Sequence, residues 1–64
     1  MKLKIGNIYE ITTLRKIFPQ QWKQENYTGI LINSSESFIE LIDKEIGLVR
    51  LKSRSLFEVK EIGK

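Results

Sequence analysis

The chain has 64 residues, a formal net charge of +3 and an isoelectric point near 9.4. This length suits a single domain spanning residues 1–64. The sequence has no cysteine and no histidine, so disulfides, thiolate metal sites and the commonest general base are all excluded. We therefore expect no metal, no cofactor and no enzymatic activity.

The sequence gives no sign of a membrane or export segment. No stretch approaches the roughly 18 consecutive apolar residues of a membrane-spanning helix. The first lysines are not followed by the apolar run of a signal peptide, because Asn7 and Glu10 interrupt it. Together with the absence of cysteine, this predicts a cytoplasmic protein that does not bind membranes.

Charge is divided along the chain into three segments. Residues 1–24 carry a net charge of +4, residues 25–45 carry −4 and residues 46–64 carry +3. The overall excess of positive charge permits nucleic-acid binding without requiring it.

The first strand is predicted at residues 7–17, where apolar and polar residues alternate. Residues 18–26 are polar apart from two aromatic residues, and Pro19 breaks the preceding strand. We therefore predict a long first loop, in which residues 20–24 could form a short helical turn.

Three further strands are predicted at residues 27–33, 38–42 and 48–52, joined by connections at 34–37 and 43–47. The last strand is predicted at 57–62. Residues 53–55 are too few for a parallel crossover, which favours a tight turn or a 3₁₀ helix before that strand. The prediction is an all-β fold, a small five-stranded antiparallel barrel.

The middle strands can be paired by their apolar pattern. The four-residue loop places Leu31 opposite Glu40, and the next turn places Leu41 opposite Val49 and Glu40 opposite Arg50. This register predicts a core face of Ile30, Ile32, Ile39, Leu41, Val49 and Leu51. It places on the other face Gly29, Leu31, Glu40, Ile42, Leu48 and Arg50. Gly47 suits a turn that needs a positive φ.

This arrangement resembles the SH3-like barrels and, more loosely, the Sm-like proteins. The opening Lys4-Ile5-Gly6-Asn7-Ile8-Tyr9 is similar to the entry of such barrels, and Thr28-Gly29-Ile30-Leu31-Ile32 followed by Phe38-Ile39-Glu40-Leu41 is similar to the first Sm motif. The resemblance implies a glycine that lets the second strand bend. Ser34 to Ser37 replace the Asp and Asn of the Sm RNA-contacting loop, so no RNA-binding residues are carried over.

Basic and aromatic residues alternate in and around the first loop. Such a mixture suits single-stranded nucleic acid, whose bases stack on rings, and also a protein interface, where Trp, Tyr and Arg dominate binding. In an SH3-like barrel this loop, the 34–37 loop and the turn before the last strand share one end, opposite the acidic turn at 43–45. The predicted partner-binding residues are Arg15, Lys16, Phe18, Trp22, Lys23, Tyr27 and Arg54.

Simpler explanations exist for several of these residues. Phe18 and Trp22 could fold back and fill the open end of the barrel. The acidic residues Glu36, Glu40, Asp43 and Glu45 are expected to be solvated surface and not a catalytic pair. Ile42, Leu48 and Leu31 would be either covered by the first loop or part of a homo-oligomer interface.

The sequence therefore predicts a non-enzymatic binding module. The favoured function is a small adaptor, regulator or inhibitor that binds a protein, of the kind that bacteria and mobile elements encode as accessory proteins. The alternative is a nucleic-acid-binding accessory protein that uses the basic-aromatic loop.

Overall fold

The computed structural model describes residues 3–63; Met1, Lys2 and Lys64, which enter the charge segments above, lie outside the described residues. Its strands are β1 (Ile8–Ile17), β2 (Gln21–Ser34), β3 (Phe38–Asp43), β4 (Gly47–Lys52) and β5 (Leu56–Gly63). A 3₁₀ turn, Ser53–Ser55, precedes β5. All pairings are antiparallel, in the order β4-β3-β2-β1-β5. The all-β, five-stranded prediction is confirmed.

The core collects apolar side chains from one face of the sheet. Its buried members are Tyr9, Ile11, Leu31, Ile39, Leu41, Val49 and Leu51. The partly buried Leu3, Tyr27, Leu56 and Val59 pack against them. Because β4 and β5 are the two outer strands and both contribute to this one cluster, the sheet curves around it. Such curvature is compatible with a small β-barrel-like fold.

The predicted register of β3 and β4 is confirmed. Leu41 lies opposite Val49, and Glu40 lies opposite Arg50 on the outer face. The Arg50 guanidinium approaches the Glu40 carboxylate to 3.3 Å. Gly47 has a φ of 83° at the turn, a conformation that glycine adopts without steric strain because it has no Cβ atom.

The predicted register of β2 and β3 is wrong, by one residue from Gly29 to Leu31 and by two residues beyond Ile32. Leu31 lies opposite Leu41, not opposite Glu40. Leu31 is therefore fully buried, whereas Ile30 and Ile32, both predicted for the core, are 45% and 43% exposed. A shift of one residue exchanges the two faces of a strand, which places Ile30 on the outer face, whereas Ile32 has no partner on β3.

The cause of the shift is local to the end of β2. The strand continues to Ser34, and the pairing slips by one residue between Leu31 and Asn33, which makes Ile32 a bulge. The Ser35 hydroxyl accepts hydrogen bonds from the backbone N–H groups of Ser37 and Phe38. These bonds shorten the predicted four-residue loop.

Gly29 holds the observed register of β2 and β3. A Cβ atom at this position would overlap the carbonyl oxygen of Ile42, so only glycine allows the two backbones to approach this closely. The Sm-like resemblance gave Gly29 a different role, in bending the strand. The close contact with β3 accounts for a glycine here.

The predicted first loop at 18–26 is wrong, as is its helical turn at 20–24. Strand pairing continues to Ile17 opposite Gln21, and only Phe18 to Gln20 form the turn. The peptide bond between Phe18 and Pro19 is cis. Residues 21–26 show no alternation of apolar and polar side chains, because most of them are exposed on either face of the ribbon. The apolar pattern of the sequence therefore does not reveal this part of β2.

The turn between β3 and β4 depends on the buried Asp43. Its carboxylate accepts backbone hydrogen bonds from Glu45 at 2.8 Å, Thr28 at 3.0 Å and Ile46 at 3.2 Å. These bonds, that of Glu45 above all, lower the pKa of Asp43. The carboxylate thus joins the turn to β2.

The corrected register predicts unequal costs for two neighbouring truncations. Leu31→Ala should lower the free energy of unfolding by about 2–5 kcal/mol, because it empties a fully buried site. Ile32→Ala should cost about 1 kcal/mol, because that side chain is already half exposed. Urea denaturation of the two variants measures this difference, and equal costs would contradict the register.

The hydrogen bonds of Asp43 predict a pH-dependent contribution to stability. A lowered pKa in the folded state means that the contribution is complete above the ordinary Asp pKa of about 3.9. It is lost as the pH falls through the lowered folded-state value. The Tm difference between wild type and Asp43→Ala should be large at neutral pH and shrink below about pH 4. The control is Glu45→Ala, whose side chain is exposed; a constant Asp43→Ala difference would refute the assignment.

Candidate binding surface

The β1–β2 hairpin extends beyond the rest of the sheet. Pairing between β1 and β5 ends at Thr13, whereas pairing between β1 and β2 continues to the turn. Residues 14–24 therefore form a two-stranded ribbon, called the arm below. In the arm, β1 pairs with β2 alone and has a free backbone edge. The arm contributes to an elongated shape, with extents of 39 × 25 × 18 Å.

The arm carries cations and aromatic rings but no acidic residue. Directly opposite residues of antiparallel strands share a face. Arg15 lies opposite Lys23, so these two cations occupy one face. Lys16 lies opposite Trp22, which places an ammonium group and an indole together on the other face. Phe18 is at the tip.

The aromatic residues of the arm do not fill the core. The Phe18 side chain is 91% exposed and that of Trp22 is 65% exposed. The alternative in which they close the end of the barrel is therefore wrong. Exposed rings of this size on a narrow ribbon are costly to hydrate and are typical of contact residues.

A groove of about 540 Å³ lies between the base of the arm, β4 and the 3₁₀ turn. We call it the basic groove. It runs beside the free edge of β1, and one carboxylate, that of Glu25, lines it. Tyr27 also lines it, and burial raises the pKa of Tyr27, so the phenol stays protonated at neutral pH. The cations of the groove are Arg15, Lys16, Arg50, Lys52 and Arg54.

A second pocket of about 480 Å³ adjoins the basic groove and shares Arg50, Lys52 and Arg54 with it. Phe38 lines this pocket, and the Arg50 guanidinium carbon lies 4.5 Å from the centre of its ring. The Glu40 carboxylate accepts a hydrogen bond from Arg50 on the outer face. Arg50 is thus held by a ring and a carboxylate, in a cation–π contact and an ion pair.

The charges at the surface are weakly neutralised. Arg15 and Glu25 approach only to 4.0 Å, and the Arg15 side chain remains 64% exposed. Glu40 pairs with Arg50, and hydrogen bonds from Asn33 first, and then from Arg50, lower the pKa of Glu40. Exposed ion pairs of this kind contribute little to folding, so a partner's anions can replace them.

The structure brings together part of the predicted site. Arg15, Lys16, Tyr27 and Arg54 line the basic groove. Lys23 lies opposite Arg15, while Phe18 and Trp22 lie further out on the arm.

Two of the three connections expected at one end of the fold meet there, whereas the first loop is replaced by the arm and Trp22 and Lys23 line neither cavity. Ser53 of the 3₁₀ turn donates a backbone hydrogen bond of 3.0 Å to Ser37 of the β2–β3 turn. Arg54 lines both the basic groove and the second pocket.

The sequence prediction missed three basic and aromatic residues of this surface: Arg50, Lys52 and Phe38. They belong to strands, whereas the predicted site was centred on the first loop. Arg50 and Lys52 alternate with core residues on β4, which assigns them correctly to an exposed face. Nothing in that pattern shows that the same face reaches the arm.

Within residues 3–63, no group of three or more acidic side chains is placed to hold a metal ion. The described elements also include no helix with the length and apolarity needed to cross a membrane. Of the four acidic candidates, Glu40 and Asp43 already bind neighbouring groups of the fold.

Comparisons with protein-family models, curated proteins and solved structures found no significant match to this chain. The interpretation of the surface therefore depends on its own geometry and charge.

Proposed function

We propose that the chain is a non-enzymatic binding module, a small SH3-like β-barrel that serves as an adaptor, regulator or inhibitor. The strand order and the 3₁₀ turn before β5 support the SH3-like assignment. The observation that carries the functional proposal is the junction of the exposed arm with the basic groove. Together they form a surface that offers cations and rings to a partner.

A protein partner fits this surface if it presents carboxylates. Trp22, Tyr27 and Arg54 are of the residue types that dominate binding at protein interfaces. The arm can insert its exposed tip into a partner while the groove accepts an acidic segment. Complementary charge of this kind accelerates association and selects among partners.

Nucleic acid is the second candidate, and the excess of cations favours it. Six cations belong to the arm, the groove and the second pocket, whereas Glu25 and Glu36 line the two cavities and Glu40 pairs with Arg50. A polyphosphate chain releases counterions from several such cations at once.

A second copy of the chain is a further proposed partner, on a different face. Ile30 lies opposite Ile42, and Ile42 lies opposite Leu48, which forms an apolar row across three strands. Their side chains are 42–62% exposed, so the arm does not cover them. The sequence predicts Leu31 on this same face, but the structure places Leu31 in the core.

This apolar row predicts weak self-association. The sedimentation coefficient of the wild type should rise with protein concentration, because dimer formation removes the row from water. Ile42→Ser combined with Leu48→Ser should abolish the rise, whereas Phe57→Ser, at an exposed apolar position on β5, should not. A wild type that sediments as a monomer at every concentration would refute this interface.

Charge reversal tests the main surface. Lys23→Glu combined with Arg54→Glu should elute from heparin–agarose at a clearly lower salt concentration than wild type. The matched control, Lys44→Glu with Lys60→Glu, changes the net charge equally on the β3–β4 turn and on β5. Both variants should keep a Tm close to wild type, because exposed charges contribute little to folding. Equal elution of the two variants would contradict the proposed surface.

A further inference from the structure

We propose that single-stranded nucleic acid binds to the arm and the basic groove, its phosphates along the groove and its bases stacked on the rings of the arm. This inference rests on the proposed function. For the same surface, it selects the nucleic-acid candidate over the protein candidate. It requires an anion path, accessible rings beside that path, and a reason to prefer single strands over duplexes and acidic proteins.

The anion path follows the free edge of β1. Arg15 and Lys16 come from the arm, and Lys52 and Arg54 face them from β4 and the 3₁₀ turn. The second pocket continues the same path, since three of the cations line both cavities. A flexible polyanion can therefore contact cations from the arm to the β2–β3 turn without leaving the surface.

Trp22 and Phe18 line neither cavity, and the path reaches them through Lys16. Trp22 shares a face of the arm with Lys16, which itself lines the groove. A strand whose phosphate meets Lys16 brings the adjacent base within reach of the indole. Phe18 offers a second ring at the tip, whereas the ring of Phe38, at the far end of the path, is already covered on one face by the Arg50 guanidinium. Alternating cations and rings are how proteins bind single strands without reading their sequence.

Base stacking also distinguishes the possible ligands. In a duplex, the faces of the bases are stacked on one another and are closed to Trp22, so only the phosphates contribute. An acidic peptide supplies carboxylates but no flat π-surface. A single strand satisfies the cations and the exposed rings together.

Trp22 is the single tryptophan of the chain and belongs to the arm, so tryptophan fluorescence reports on the arm. We would titrate the full chain with a fluorescein-labelled oligothymidylate of about 15 nucleotides, the upper range of small single-strand sites. A duplex of equal length and poly-L-glutamate serve as competing probes. The oligothymidylate should bind at least about tenfold more tightly than either, quench Trp22, and weaken steeply with salt.

Variants then separate stacking from folding. Trp22→Ala should weaken oligothymidylate binding about tenfold, the effect of losing one stacked base, and Trp22→Phe should restore most of it. Phe57→Ala removes a ring that is equally exposed, at 65%, but lies on β5, and should bind as wild type does. A Tm for each variant shows that none of these effects reflects unfolding.

Three results would overturn the inference: equal affinity for the duplex, equal affinity for poly-L-glutamate, or wild-type binding by Trp22→Ala. The heparin test of charge reversal distinguishes these results from a failure of the proposed function. If charge reversal lowers heparin retention but the single strand is not preferred, the surface binds another anionic partner and only this inference fails. If charge reversal leaves heparin retention at the control value, the surface itself is wrong.

Discussion

The close approach of β2 and β3 at Gly29 is the constraint on which the rest of the sheet depends. Gly29 lies opposite Tyr9 of β1 and opposite Asp43 of β3, so the registers of both pairings meet at this residue. No side chain larger than hydrogen fits against the Ile42 carbonyl. With the strands held here, Leu31 and Leu41 face each other in the core, and Asp43 is placed to bind the backbone of Thr28.

The same pairing separates the part of the molecule that folds from the part that is free to bind. Residues 21–24 of β2 pair with β1 beyond the end of β5, and none of them belongs to the core cluster described above. The arm can therefore expose Phe18 and Trp22 without loss of core packing. Long side chains on a ribbon whose base is fixed by the sheet are positioned but not buried, which suits contact with a partner.

The fold brings the two basic segments of the chain together at one surface. Arg15 and Lys16 of the first basic segment meet Lys52 and Arg54 of the last at the basic groove. In the acidic segment between them, Glu40 accepts hydrogen bonds from Asn33 and Arg50, and Asp43 accepts one from the backbone of Glu45. Convergence of like charges weakens folding slightly, but it produces a surface with more cations than the net charge of +3 suggests.

The sequence by itself determined the all-β class, the β3–β4 register and a short connection before β5, because each has a strong local signal. Glu40 opposite Arg50 and the alternation around Leu41 tolerate only one pairing. In contrast, Ile30, Leu31 and Ile32 are all apolar, so the pattern could not say which faces inward. Only the tertiary contact at Gly29 and the bulge decided it. The tertiary structure also decided that a polar stretch forms the arm and that Arg50 and Lys52 border it, because strand pairing and surface adjacency depend on distant residues.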